Sequence, residues 1–398
     1  MRFLVVYNGP LNPNGGSSGT VWQTNEALRG LGHHVDVITE NDIERSVRHH
    51  NLHYSIELPH RLLQATKRRL RSSSYDVILI SQPYGYLVGK WLRARGGDTV
   101  YLHRSHGHEL AVSHQLASWT DALGEKRSYG RRLASRLLAL RLNRQARLAL
   151  KYADGTIVPS SFDRDFLIRS ERADPARVRS IFHASVPSYL AAPTRPYTRE
   201  RHQRLLYVGN FTRVKGGDLL WEVGTAVLRK FPSLSLTIVT NQSDHSKTIA
   251  GFGADVVGRI HAREWVTQEA LMDIYDQHGL QIIPSRYEGA SKAHYEGMSR
   301  GLGMVCSSIG AMSDSITSGK DGLLVPPGDA EGFVNALSQL VENYDMACEV
   351  AAKARLRALD FDWQKTAAEI VVYASELISQ KHHGHKTIAE GAYVVSRK

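Results

Sequence analysis

The sequence predicts an α/β protein made of two Rossmann-like domains that face a central cleft. Three observations predict it. At 398 residues the chain exceeds the size at which one hydrophobic core stops growing, so two domains are expected. Short runs rich in Val, Ile and Leu alternate with longer helix-periodic segments almost throughout, as parallel sheets covered on both faces require. A stretch with three prolines and no clear periodicity, "VPSYLAAPTRPYTRERHQ" at 186–203, interrupts the alternation and reads as a linker.

Taken in order, "RFLVVYN", "HVDVITE", "YDVILIS" and "DTVYLHR" are strand-like, and "TVWQTNEALRGLG" is a helix ending on glycine. "ADGTIVPSS" and "VRSIFHAS" complete a first domain at 1–186. After a linker at 187–203, "RLLYVGN", "LSLTIVT", "ADVVGRI", "LQIIPS" and "GMVCSS" supply the strands of a second domain at 204–358. The opening apolar run is only about five residues, a strand and not a signal peptide. No window approaches the roughly 18 apolar residues of a membrane span, so a soluble or peripheral cytoplasmic protein is expected.

Composition is ordinary globular, 42% hydrophobic and 22% charged. The two cysteines, Cys306 and Cys348, have no metal-ligand spacing and suit a reducing compartment. Net charge is +11, concentrated between Lys126 and Lys151, where no acidic residue occurs and leucines 133, 137, 140 and 148 interleave with the cations. That is a basic amphipathic helix; "KRRLR" at Lys67–Arg71 is a second cluster. The 126–151 segment is read as a solvated face, a dock for an anionic membrane or acidic glycan, or a nucleic-acid surface. Lack of interleaved aromatics and of a nucleic-acid module counts against the last.

Ligands of such sheets bind beyond the carboxyl ends of strands, so the strand-to-loop junctions are the candidate chemistry. "NGPLNPNGGSSGT" places Gly15 and Gly16 before the first helix, either a tight turn or a backbone cradle for phosphate. It has neither Walker nor G-x-G-x-x-G spacing. "HRSHGHEL" puts His106, His108 and Glu109 at the cleft, with His106 the candidate to face a sugar. No zinc motif accompanies them. "YVGNFTRVKGGDLL" offers Arg213 and Lys215 as a diphosphate clamp.

"PSRYEGASKAHYEGMSRGLGMV" carries Glu288 and Glu296. On one continuous helix they would stand about 12 Å apart with faces offset by roughly 80°. Hydrolytic carboxylate pairs need about 5–9.5 Å. We therefore expect Glu288 in a loop and Glu296 in a helix capped by Ser291, with backbone N–H groups near Ala290–Ala293 aimed at an anion. "DRD" at Asp163–Asp165 and "DFD" at Asp360–Asp362 mimic a metal motif; the first is explained by a capped first helical turn.

The ordered set "YVGNFTRVKGGDLL", "IIPSRYEGASKAHYEGMSRGLGMV" and "DSITSGKDGLLVPPGD" resembles the donor half of retaining family 4 glycosyltransferases, the GT-B fold. "NPNGGSSGTVWQTNEALRGLGHHVDVIT" and "YADGTIVPSS" resemble its first half. The resemblance implies that Lys215 binds the donor diphosphate, Glu288 the transferred sugar and Glu296 the ribose. Gly16 would approach the phosphates from the opposite domain, and His106 would be the active-site histidine near the sugar. Gly15, Asn210, Ala290, Ser291 and Lys292 complete the implied donor site. "FDWQKTAAEIVVYASEL" looks like the family's last helix, so 359–380 should cross back onto the first domain, leaving 381–398 as a tail. The chain departs from the pattern at Asn210 (usually Arg), Gly303 (Pro), Asp314 (Glu) and Ala184–Ser185 (Asn-Gly).

The expected activity is transfer of a sugar, with retention, from a nucleotide-diphosphate sugar to a glycan or lipid-linked acceptor in cell-envelope, lipopolysaccharide or exopolysaccharide synthesis. No cofactor or metal is expected, the nucleotide sugar being a co-substrate. The alternatives are a nucleotide-sugar epimerase or hydrolase of the same fold, and a non-catalytic basic glycan- or nucleic-acid-binding protein.

Overall fold

A computed structural model describes residues 1–122, 129–241 and 245–395. The strands of the first sheet are β1 (Arg2–Val6), β2 (His34–Ile38), β3 (Val77–Ser81), β4 (Val100–Arg104), β5 (Gly155–Val158) and β6 (Val178–Ser180). Their spatial order is β2-β1-β3-β4-β5-β6, all parallel, with Phe3 opposite both Val35 and Val77. The second sheet holds β7 (Arg204–Val208), β8 (Ser235–Val239), β9 (Ile260–Arg263), β10 (Leu280–Ile283), β11 (Gly303–Ser307) and β12 (Leu323–Val325) in the order β12-β11-β10-β7-β8-β9. It too is parallel, Leu280 pairing with Leu205 on one side and Gly303 on the other. Central strands such as Val77–Ile80 are fully buried, which is why they read as unbroken apolar runs.

One strand falls elsewhere than expected, and one was not expected. "ADVVGRI" is mostly a turn, and β9 starts at its last residue. Arg259 explains this: its guanidinium donates to the carbonyls of Leu228, Phe231, Pro232 and Leu234, drawing the chain around the end of helix Gly217–Lys230 before the strand begins. The short β12, "LLV", has no period of its own to reveal it.

The expected linker is structured and pinned to the second domain. It contains helices Pro187–Ala191 and Arg199–His202. Buried Tyr189 donates to the Gln268 carbonyl at 2.7 Å, and Arg300 donates to the carbonyls of Tyr189 and Ala192 at 3.0 Å each. The last helix runs Trp363–Val395, beyond the expected end at 380. Ile370, Tyr373 and Leu377 join the first domain's core with Val5, Val77 and Leu79, so this helix does cross back. Glu376 pairs with Arg179 at 2.7 Å, and Lys381, expected in the tail, pairs with Asp154 at 2.8 Å.

Lys126 and Arg127 of the expected basic helix lie outside the described residues; Tyr129–Tyr152 is helical. In the other basic cluster, Arg68 and Arg69 face Glu44 and Asp42 at 3.6 and 3.7 Å. Cys306 is buried, and both cysteines are free.

Candidate active site

A cavity of about 670 Å³ lies where the two sheets' loops meet. The order of the second sheet reverses between β7 and β10, so the loops after these strands diverge and leave a crevice there. Gly209–Gly216 follows β7, and Pro284–Ser291 follows β10. Gly216 has φ +71°, and a β-carbon there would collide with the Pro284 carbonyl; only glycine lets the two loops touch. The first domain closes the cavity with Asn12–Ser17 after β1 and with His106 after β4.

Most expected site residues line this cavity: Gly15, Gly16, His106, Asn210, Lys215 and Glu288, then Ala290, Ser291, Lys292 and Glu296. Arg213 is not among them. It is exposed, its backbone carbonyl held by Arg286 at 2.9 Å, so the expected two-cation clamp in this loop is not formed. The cations of the lining are Lys215, from the loop after β7, and Lys292, the first residue of helix Lys292–Ser299.

Glu288 sits in the loop and Glu296 in helix Lys292–Ser299, as expected. Lys215 Nζ donates to both Glu288 oxygens at 2.7 and 2.5 Å, and Ser285 Oγ donates to one at 3.2 Å. Glu296 is almost wholly buried. It accepts from Tyr275 Oη at 3.0 Å, with Lys292 Nζ 3.6 Å away. With its amide nitrogen turned toward Glu296, Gln268 donates to that carboxylate and accepts from Lys292, each at 3.2 Å. Burial raises the Glu296 pKa, opposed by Lys292 and the Tyr275 hydroxyl. Ser291 occupies the N-cap position, but its side chain makes no cap bond, contrary to expectation. Its ψ of 118° is extended, and the hydroxyl belongs to the cavity lining instead.

His106 is half-buried, and both its ring nitrogens are shielded from solvent and unpartnered among the described residues. Burial first, then the nearby Arg104 and His103, lower its pKa to about 3, so the ring is neutral at physiological pH. His183, next to it with ring centroids 5.9 Å apart, also lines the cavity and is likewise held well below the usual range by burial. His108 and Glu109 lie outside the lining. They form, with His103, the one cluster among the described residues whose metal-ligating atoms lie within 4.8 Å of one another. Of the two metal-like aspartate pairs, Asp163 instead accepts from Tyr287 Oη at 2.8 Å and His108 N at 3.3 Å, with Ser160 capping its helix. Asp360 and Asp362 pair with Arg357 and Lys365.

Sequence reasoning missed His183, Gln268, Tyr275 and Trp265. His183 and Trp265 each follow the end of a strand, β6 and β9, so the strand-end rule applied to every junction would have found them. Gln268 and Tyr275 belong to the helix Gln268–Gln277 packed beside the cavity and carry no local signal.

Two family models divide the chain between them. "Glycosyltransferase Family 4" matches residues 14–184 and "Glycosyl transferases group 1" residues 202–343. The chain belongs to the family 4, group 1 glycosyltransferases. D-inositol 3-phosphate glycosyltransferase of Corynebacterium urealyticum is 24% identical over 45% of this chain and 44% of its own length. The Rhodococcus opacus protein of that name is 22% identical over 58% and 55%. The chain thus spans about half the length of these curated relatives. Among solved structures, sucrose-phosphate synthase from Thermosynechococcus elongatus aligns with a TM-score of 0.73 at 22% identity, covering 95% of this chain and 99% of that one. Anabaena HepE in complex with UDP-glucose aligns at 0.65 and 16% identity, covering 94% and 100%. The two facing parallel sheets are the GT-B fold.

Proposed function

We propose that this glycosyltransferase moves a sugar from a nucleotide-diphosphate sugar to a glycan or lipid-linked acceptor, with retention of anomeric configuration. One observation carries the reading. The cavity at the β7/β10 switch point is faced by Lys215, by Lys292 and by the entrance of helix Lys292–Ser299, while Gly16 opposes them from the other domain. That set offers a diphosphate two ammonium groups from one domain and backbone N–H donors from both. HepE, whose solved complex holds UDP-glucose, shares the fold and supports this donor class.

In the reaction the bond from the sugar's anomeric carbon to the diphosphate oxygen breaks, and its electron pair stays on that oxygen. The acceptor hydroxyl oxygen bonds the anomeric carbon, and its proton leaves with the diphosphate. Lys215 and Lys292 stabilise the growing negative charge. Glu288 is held by Lys215 and Ser285, and Glu296 by Tyr275, so both carboxylates are placed to accept hydroxyl protons of bound sugar and ribose. Neutral His106 donates toward the sugar.

No divalent metal is needed to bridge the phosphates in this arrangement, and turnover should persist in EDTA. Screening nucleotide sugars for thermal stabilisation tests the donor, since a bound ligand raises the midpoint by mass action. Absence of stabilisation by every nucleotide sugar and by UDP, ADP and GDP would overturn the reading. Incubation with donor alone separates transfer from epimerisation or hydrolysis. Among the described residues no helix is long and apolar enough to cross a membrane. The basic helix Tyr129–Tyr152 is what supports a peripheral location on the cytoplasmic face of a membrane where envelope glycans are assembled.

A further inference from the structure

We infer that the first domain carries a binding site for an acidic phospholipid of the membrane, formed where an apolar groove and a cationic pocket meet at Arg141. The groove, about 850 Å³, takes its apolar lining from Leu52, Ile56, Ala134, Leu137 and Leu138, with His49, Asn51, Ser55 and Ser135 beside them. The pocket, about 320 Å³, lies between helices Tyr86–Arg95 and Tyr129–Tyr152 and presents Lys90, Arg141 and Arg144 with Tyr86 and Tyr152. Arg141 lines both, and among the described residues neither lining contains an aspartate or glutamate.

The groove continues onto an unburied ridge. Leu133, Leu137 and Leu140 are 50, 59 and 67% exposed, and Leu52 and Ile56 beside them 49 and 44%. Spacings of four and three residues put the three helix leucines on one face, where a water-soluble surface would carry polar groups. The arrangement is also fixed in place: Arg141 Nε and Gln145 Nε2 both donate to the Ser55 carbonyl, at 2.8 and 2.7 Å, locking the helix to the turn that bears Ile56. An apolar ridge rimmed by cations without compensating acids complements a surface that is apolar inside and anionic at its headgroups. A phospholipid fits both halves, its acyl chain in the groove and its phosphate among Lys90, Arg141 and Arg144. Leucines in place of aromatic platforms argue against a single-stranded nucleic acid.

This deepens the membrane part of the reading above, and the donor chemistry does not depend on it. The test is co-sedimentation of the protein with phosphatidylcholine vesicles, with and without phosphatidylglycerol, for wild type, Leu137→Ser/Leu140→Ser and Lys90→Ala/Arg144→Ala. Wild type should bind the acidic vesicles only, and more weakly as salt rises. Each double variant should lower the partition coefficient about tenfold or more. Both should keep the thermal stabilisation given by the nucleotide-sugar donor, because none of the four residues lines the donor cavity. Equal binding to neutral vesicles, or full binding by Lys90→Ala/Arg144→Ala, would overturn the inference. So would displacement from vesicles by soluble glycerol phosphate, which would make the pocket a free-phosphate site, or a dimer in solution that Leu137→Ser/Leu140→Ser dissolves. Loss of donor stabilisation in the wild type would instead strike the proposed transfer reaction.

Discussion

Replacing Lys215 by alanine separates what this lysine does for folding from what it does for transfer. Among the described residues its ammonium is the one cation bonded to Glu288, a carboxylate just 7% exposed whose other partner is the Ser285 hydroxyl. Removing the lysine alone leaves a buried carboxylate without a counter-charge, a change that costs about 3–5 kcal/mol when the pair is fully buried. Lys215 itself is 35% exposed, and solvent will reduce that toward about 1–2 kcal/mol. Adding Glu288→Gln removes the stranded charge, so the double variant should regain most of the lost stability. Turnover should not return with it. Loss of one preorganised charge from a leaving-group site costs about 3–4 kcal/mol of barrier, or about 10²–10³ in kcat. Thermal melts and steady-state transfer by the four proteins of the cycle measure both quantities. Turnover within about tenfold of wild type in either protein lacking Lys215 would refute the assignment of the lysine to the diphosphate.

Gly16→Ala should fold normally, since the added β-carbon meets nothing within 4 Å and φ is −68°. If the phosphates lie against this backbone, overpacking of about 1–3 kcal/mol should raise the donor KM roughly 5- to 150-fold, read by initial rates. Arg213→Ala should leave kcat within about twofold of wild type, the usual range for an exposed side chain outside the site. A hundredfold loss would restore the loop clamp that the geometry lacks. Stability should fall as the solution is acidified below pH 6.5. Burial holds His103, His106, His278 and His294 down at about 4, 3, 4 and 3, so they stay neutral when folded and take up protons on unfolding. Asp163 and Glu109, raised by burial to about 6 and 8, act oppositely, their contribution being full below the unfolded carboxylate range and lost as pH rises. These six groups alone make the unfolded chain bind about two more protons at pH 5, a slope near 3 kcal/mol per pH unit, and His108 and His183, held well below the usual range by burial, steepen it further; urea unfolding measures it.

The fold was legible because parallel strands buried on both faces leave a compositional trace, and runs such as Val77–Ile80 carry it. The site was legible where a junction has chemistry of its own: Lys215, Glu288 and Glu296 stand out by residue type and position. Arg213 misled because two cations in one loop look alike in sequence. Only the turn closed by Gly216 decides that Lys215 faces Glu288 while Arg213 faces outward. Ser291 misled for a related reason, since capping depends on a rotamer that composition does not encode. The linker hid its order because Tyr189 and Arg201 are fixed by partners about 80 residues away, Gln268 and His278.

The two halves of the site are brought together by contacts that no single domain contains. Asp314 of the second domain accepts from both the backbone and the hydroxyl of Ser161 at the start of a first-domain helix. Asp163 accepts from Tyr287, and Ser185 bonds Ser299 across the cleft. Gly289 packs so closely on Gly107 and the His106 carbonyl that a β-carbon there would collide with both. Apolar contacts join them: Tyr295 and Ala311 of the second domain belong to the first domain's core, and Ala111, Phe162 and Phe166 of the first domain pack with the core of the second. The His183 ring stacks on Trp363, the first residue of that helix, with centroids 5.9 Å apart, so the same helix that ties the domains also buttresses the cavity wall. Opening the cleft therefore means exposing this apolar surface as well as exchanging hydrogen bonds for water, so both kinds of contact hold the closed arrangement.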